Sequence, residues 1–146
     1  MLDQTRQLIH RATADLSAEA WFTVPAGYAN NIAWNLGHIL VVQQMLLYRL
    51  SGNEMRLLEG QYASFRPGSS PADWHANPDT EALREQLLAQ ASLFAADLDA
   101  SCFGATQPYT TSTGVTLLTF QDCYEFNLFH EGLHLGHILS LRGHFA

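Results

Sequence analysis

The chain has 146 residues, 47% of them apolar, and carries a formal charge of −7. That length and apolar share predict one domain, residues 1–146, with a buried core, and the acidic balance excludes a general nucleic-acid binder, which needs a basic face. No apolar run is long enough to span a bilayer, and residues 1–20 lack the basic patch and apolar stretch of a secretory signal.

Hydrophobic periodicity predicts four helices. The first covers residues 2–20, with Leu2, Ile9, Ala12 and Leu16 on one stripe; Pro25 and Gly27 punctuate the break after it. The second covers residues 31–50 and stops at Ser51-Gly52. A long linker follows, with Pro67, Gly68, Ser69, Ser70 and Pro71; a loop of that length in a small domain is expected to cover something. The third helix opens at Asn77-Pro78-Asp79, with a capping residue, a proline and an acid at the positive end, and runs to residue 100. Residues 109–119, YTTSTGVTLLT, read as a small hairpin or an extended crossing. Thr119 and Asp122 form a capping-box pattern that opens the last and longest helix, to residue 142. The fold class is therefore all-α: a four-helix bundle with long connecting loops and a short hairpin before the last helix. Periodicity does not order the helices in space.

Seven histidines equal the lysine and arginine total. Two lone cysteines, Cys102 and Cys123, have no CxxC partner and are expected as reduced, packed thiols in a cytoplasmic protein. On the last helix, at ~100° per residue, His134 falls about 40° and His137 about −20° from His130. Cys123, Asn127 and Leu141 share that face, so it points inward. His130 and His134 are one turn apart and can chelate one ion. His137 lies roughly 10 Å from His130 along the helix and is expected behind the ligands or hydrogen-bonded in the core. HEGLH also matches a zinc-protease motif. The downstream Gly and His of the long form of that motif are replaced by His137 and Ser140, and no acidic residue follows Glu131, so that reading lacks a third ligand. The third ligand must lie upstream. His75 sits in a loop and His10 at the edge of the first stripe. His38 sits mid-stripe among Trp34, Val41, Val42 and Met45, where an imidazole needs partners for both nitrogens.

NNIAWNLGHI (30–39) and FHEGLHLGHI (129–138), with the residues leading into each, resemble the DinB-like superfamily of four-helix-bundle metalloproteins. The resemblance covers nearly the whole chain. It implies a divalent metal, nickel or zinc, on His38, His130 and His134, with an open coordination position. His137 departs from the pattern, since members commonly carry Gln there. The resemblance also implies thiol-dependent S-transferase chemistry with a low-molecular-weight thiol such as bacillithiol or mycothiol. Glu131, about 100° from His130, is read as a solvated flank residue or as a general base. Trp34, Met45, Tyr124 and Asn127 are candidates to line or support a pocket.

Three functional readings follow. The first is a metal-dependent transferase or hydrolase acting on a small molecule. The second is a non-catalytic metal-binding or stress-response bundle. The third is a bundle whose histidines are hydrogen-bonded core residues without metal. Helix two carries only Arg49 as a charge between Asn31 and Leu50, which makes a homodimer an expectation.

Overall fold

Asn31 fixes where the most buried helix begins. In the computed structural model, which describes residues 1–145, its side chain accepts from Trp34 N–H at 2.8 Å and caps α3, Ile32–Gln43. Every residue of α3 is buried, so its apolar content surrounds the whole helix. The helix continues through a π turn, Gln44–Tyr48, and a 3-10 turn, Arg49–Ser51. It stops at Gly52, whose φ of 81° is a left-handed conformation that favours glycine.

The other long helices are α1, Leu2–Ala12, α5, Thr80–Asp99, and α6, Phe120–Arg142. Asp79 caps α5, and the Thr119–Asp122 capping box opens α6 as expected. The hairpin is present as β1, Tyr109–Thr110, paired antiparallel with β2, Thr116–Leu117, in the register Tyr109 to Leu117. The linker is not bare: it holds α4, Gln61–Phe65, and a 3-10 turn at Pro71–Asp73.

The expected first helix is split. Thr13 turns its hydroxyl back to the Ile9 and His10 carbonyls, and Ser17 caps a separate short helix α2, Ala18–Phe22. Each side chain offers the backbone an alternative to helix continuation. Cys102 is also a correction: Cys123 is buried, but Cys102 is exposed just past the end of α5.

Helices α1 and α3 each pack against both α5 and α6, which places α1 and α3 at opposite corners of the bundle. One apolar cluster joins Ile9, Trp21, Leu36, Leu87 and Ile138; a second joins Leu2, Leu46, Tyr48, Phe94 and Cys123. Among the described residues, no helix is long and apolar enough to cross a membrane.

A buried ion pair crosses the first cluster. Arg6 of α1 and Glu131 of α6 are both fully buried, with Arg6 Nη2 at 2.9 Å from Glu131 Oε1 and Arg6 Nε at 3.2 Å from Oε2. Arg6 Nη1 donates to the Leu87 carbonyl of α5 at 3.0 Å, so one guanidinium ties three helices. Arg6→Ala should destabilise the fold by about 3–5 kcal/mol in urea denaturation, because it strands a buried carboxylate. Arg6→Met combined with Glu131→Leu should recover most of that loss. Equal destabilisation by the single and the double change would show that the lost packing, not the stranded charge, carries the effect.

Candidate metal centre

WNLGH places His38 in the middle of α3, 7% exposed, with its ring stacked on Trp34 at a centroid distance of 4.3 Å. His38 Nδ1–H donates to the Phe65 carbonyl at 2.7 Å, at the C-terminal end of α4. A carbonyl only accepts, so the proton sits on Nδ1 and the lone pair on Nε2. Gly37 makes that approach possible: a Cβ at this position would overlap the Phe65 ring. The expectation that the linker covers something is met here, since its Phe65 closes over α3.

His134 is held the same way. Its Nδ1–H donates to Asn35 Oδ1 at 2.7 Å, and Asn35 Nδ2 donates to the Asn31 carbonyl at 2.8 Å. The second bond fixes which end of the amide faces the imidazole, so His134 also presents Nε2 as a lone pair. His130 differs. Its Nδ1 is buried without a partner, and its Nε2 lies 3.1 Å from His134 Nε2. Two lone pairs at that separation repel unless a proton or a metal ion stands between them.

One nitrogen from each of the three rings lies within 4.8 Å of the others. Two imidazole nitrogens bound tetrahedrally to one zinc-sized ion stand about 3.3 Å apart, close to the 3.1 Å between His130 and His134. Imidazole donors suit zinc, nickel, copper and iron. The three residues therefore fit a divalent metal. Burial lowers the pKa of all three; that of His130 falls to about 2 and that of His134 to about 3, with the neighbouring imidazoles adding to the effect. Neutral rings are the form that binds metal.

The DinB superfamily profile matches residues 1–138. The chain belongs to the DinB superfamily. A search of curated proteins found no match.

In this DinB-superfamily chain, a cavity of about 100 Å³ adjoins the cluster and is lined by His38 and His130. Its walls are Val42, Met45, Leu46, Phe126, Phe129 and Leu133, with the hairpin's Tyr109, Thr111, Ser112 and Thr113 across from them in sequence. Met45 thus lines the cavity, and Trp34 supports His38 from its face. A larger depression of about 600 Å³ is lined by Ser64, Arg66, Asp73, Trp74 and His75 and by none of the three clustered histidines. The smaller cavity is the one beside the histidine cluster.

Four sequence expectations need correction. Glu131 is neither solvated nor free as a base, because both carboxylate oxygens accept from Arg6 and Oε1 also accepts from Asn127 Nδ2 at 3.0 Å. Asn127 is fully buried behind that pair and does not line the cavity. Tyr124 stacks on Phe94 at 5.6 Å, in the second apolar cluster. His137 is exposed, with its ring edge-on to Tyr28 at 5.7 Å, and forms no hydrogen bond in the core. His10 faces Arg84, 3.2 Å from Nη2, and His75 is exposed; neither joins the cluster.

Sequence reasoning missed Arg6, Asn35 and Phe65. Arg6 was detectable, since it lies within about 60° of Leu2 and Ile9 on the apolar stripe of α1. Asn35 is one turn from Asn31 and from Ile39 inside an apolar helix, a position that demands a polar partner. Phe65 acts through its carbonyl, which no sequence pattern marks.

Two tests follow. In metal-free protein the unfolded chain binds protons on these histidines below about pH 6.5 while the folded chain does not until about 3 for His134 and 2 for His130. Stability should be unaffected above pH 6.5 and fall below it, by up to about 1.4 kcal/mol per pH unit for each group. Denaturation midpoints between pH 7 and pH 4, with His130→Gln/His134→Gln as the flatter reference, would check the slope. Gly37→Ala should cost about 1–3 kcal/mol by overpacking against Phe65, despite the better helix propensity of alanine; an unchanged urea midpoint would contradict the close approach.

Proposed function

We propose that this chain is a metal-dependent enzyme that takes a small molecule at an open coordination position, with a nickel or zinc ion held by Nε2 of His38, His130 and His134. The observation that carries this reading is the convergence of three neutral imidazoles, two of them with Nδ1 pinned by carbonyl acceptors, beside a cavity that two of the rings line. A bound divalent ion would supply Lewis acidity, which favours the thiolate of a coordinated thiol or lowers the pKa of water.

The chain's own residues do the rest. Phe65 and Asn35 hold two rings in the tautomer and orientation that leave Nε2 free. Trp34 and Phe126 cover imidazole faces and limit water. Thiol-dependent S-transfer is the first reading and metal-dependent hydrolysis the second. The spent carboxylate of Glu131 favours the first, because it leaves the cluster without the adjacent base that hydrolysis would use. The non-catalytic alternative would be supported by a fourth protein ligand, and among the described residues the cluster consists of three.

Elemental analysis of untagged protein loaded with nickel or zinc tests the site. Wild type should hold close to one equivalent, and His38→Ala, His130→Ala and His134→Ala should each lose it. Asn35→Leu should weaken affinity roughly ten- to a hundred-fold while the fold persists. Metal retained without His38 would break the cross-helix assignment.

A further inference from the structure

The cavity beside the imidazoles has a chemical character of its own. Its lining residues include no Asp, Glu, Lys or Arg. Six are large apolar side chains from α3 with its π turn and from α6, and the hairpin adds hydroxyls at Thr111, Ser112 and Thr113. Thr111 and Thr113 hydroxyls bond each other at 2.9 Å, and Thr111 Oγ1 also accepts from Val115 N–H. The Ser112 hydroxyl forms no hydrogen bond among the described residues, and the residue is exposed at the cavity rim. The volume, about 100 Å³, is well below the roughly 300–1,000 Å³ of cavities that enclose drug-sized ligands.

The flank on the α6 side points the same way, whereas the flank beside Arg49 is cationic. Phe126 and Phe129 are shared with an outer depression lined by Asp122 and Glu125, so that edge repels anions. Met45, Leu46 and Tyr109 are shared with a depression that contains Arg49, whose Nη1 donates to the Tyr62 hydroxyl at 3.3 Å.

We propose that the ligand of this cavity is a small, uncharged molecule with an apolar body, which brings its donor atom to the imidazoles and its polar end, if it has one, to the hairpin hydroxyls. The proposal rests on the metal reading above and narrows it. A carboxylate carried into these walls would lose its hydration and find no cation among the lining residues, so that only the ion, already bound to the sulfur or other donor atom, would offset the cost. A hydroxyl would find the Ser112 side chain, and an aromatic or alkyl body would find Val42, Leu46, Phe126 and Phe129. The selectivity follows from the walls and is independent of which reaction the ion supports.

Three rigid thiols separate these terms, because their para substituents cannot reach the ion that binds the sulfur: benzenethiol, 4-mercaptophenol and 4-mercaptobenzoate. The full chain would be loaded with nickel, its metal content fixed by elemental analysis, and titrated without air at roughly 0.2 M salt, where its overall charge is screened. Binding would be read by calorimetry and by the visible absorption of the nickel. Both thiols without a carboxylate should bind at least ten-fold more tightly than 4-mercaptobenzoate. Phe129→Arg should narrow or reverse that order by setting a cation at the cavity; Phe129 is 54% exposed, and Leu133→Arg, at a 52% exposed position, serves if the first variant does not fold. Equal or tighter binding of 4-mercaptobenzoate to the wild type would overturn the proposal. So would a nickel-loaded protein that responds to none of the three thiols, although the metal site itself would then stand. Failure to load nickel or zinc at all would overturn both, and metal analysis reveals it before any thiol is added.

Discussion

Glu131 can be buried between His130 and His134 in the sequence only because Arg6 neutralises it. An unpaired carboxylate in that position would be protonated or would pull α6 toward solvent. With the guanidinium bound in a fork, and a third bond from Arg6 to the Leu87 carbonyl, α6 is locked in rotation against α1 and α5. That rotation sets where the two α6 imidazoles point. The same bond changes the chemistry of HEGLH, whose carboxylate becomes part of the scaffold and is lost as a base.

The third imidazole is placed by a different constraint. α3 is buried all round, so it must satisfy each polar group internally. His38 uses the Phe65 carbonyl, Asn35 serves His134, and Asn31 caps the helix while its own carbonyl holds Asn35. Gly37 admits the Phe65 ring to the helix backbone. Thus the linker after α3, which has little periodicity, holds one of the clustered imidazoles and contributes Pro67 to the cavity. Two of the rings end with Nε2 lone pairs convergent and proton-bearing Nδ1 turned outward, and His130 Nε2 stands 3.1 Å from one of them, an arrangement suited to a cation.

Much of the fold was legible in the sequence. The capping pattern Thr119 to Asp122, the stop at Gly52 and the hairpin at 109–119 are local events, decided by side chains within a few residues of the backbone they bond. The break after α1 is equally local, and Thr13 and Ser17 carried it. It was hidden because the apolar stripe continues through Leu16, which still packs on the core. Pairing His130 with His134 followed from helical spacing alone. His38 followed from the cost of an imidazole in an apolar stripe.

Spacing along one helix gives angles about its axis, and those angles cannot say which neighbour stands on each side. His137 lies at nearly the same helical angle as His130, yet one lines the cavity and the other meets Tyr28 at the surface, although Ile138 and Leu141 beside it are fully buried. Glu131 lies at the edge of that face and is buried, because Arg6 of a distant helix meets it there. Sequence by itself determined the long helices α3, α5 and α6, the caps at Asp79 and Thr119, the three histidines that cluster and the family. Tertiary structure decided the corner positions of α1 and α3, the partners of Arg6, Glu131, His38 and His134, and so which of the helical neighbours join the cluster, support it or merely pack: hydrogen bonding and charge pairing across elements depend on contacts that no local period encodes.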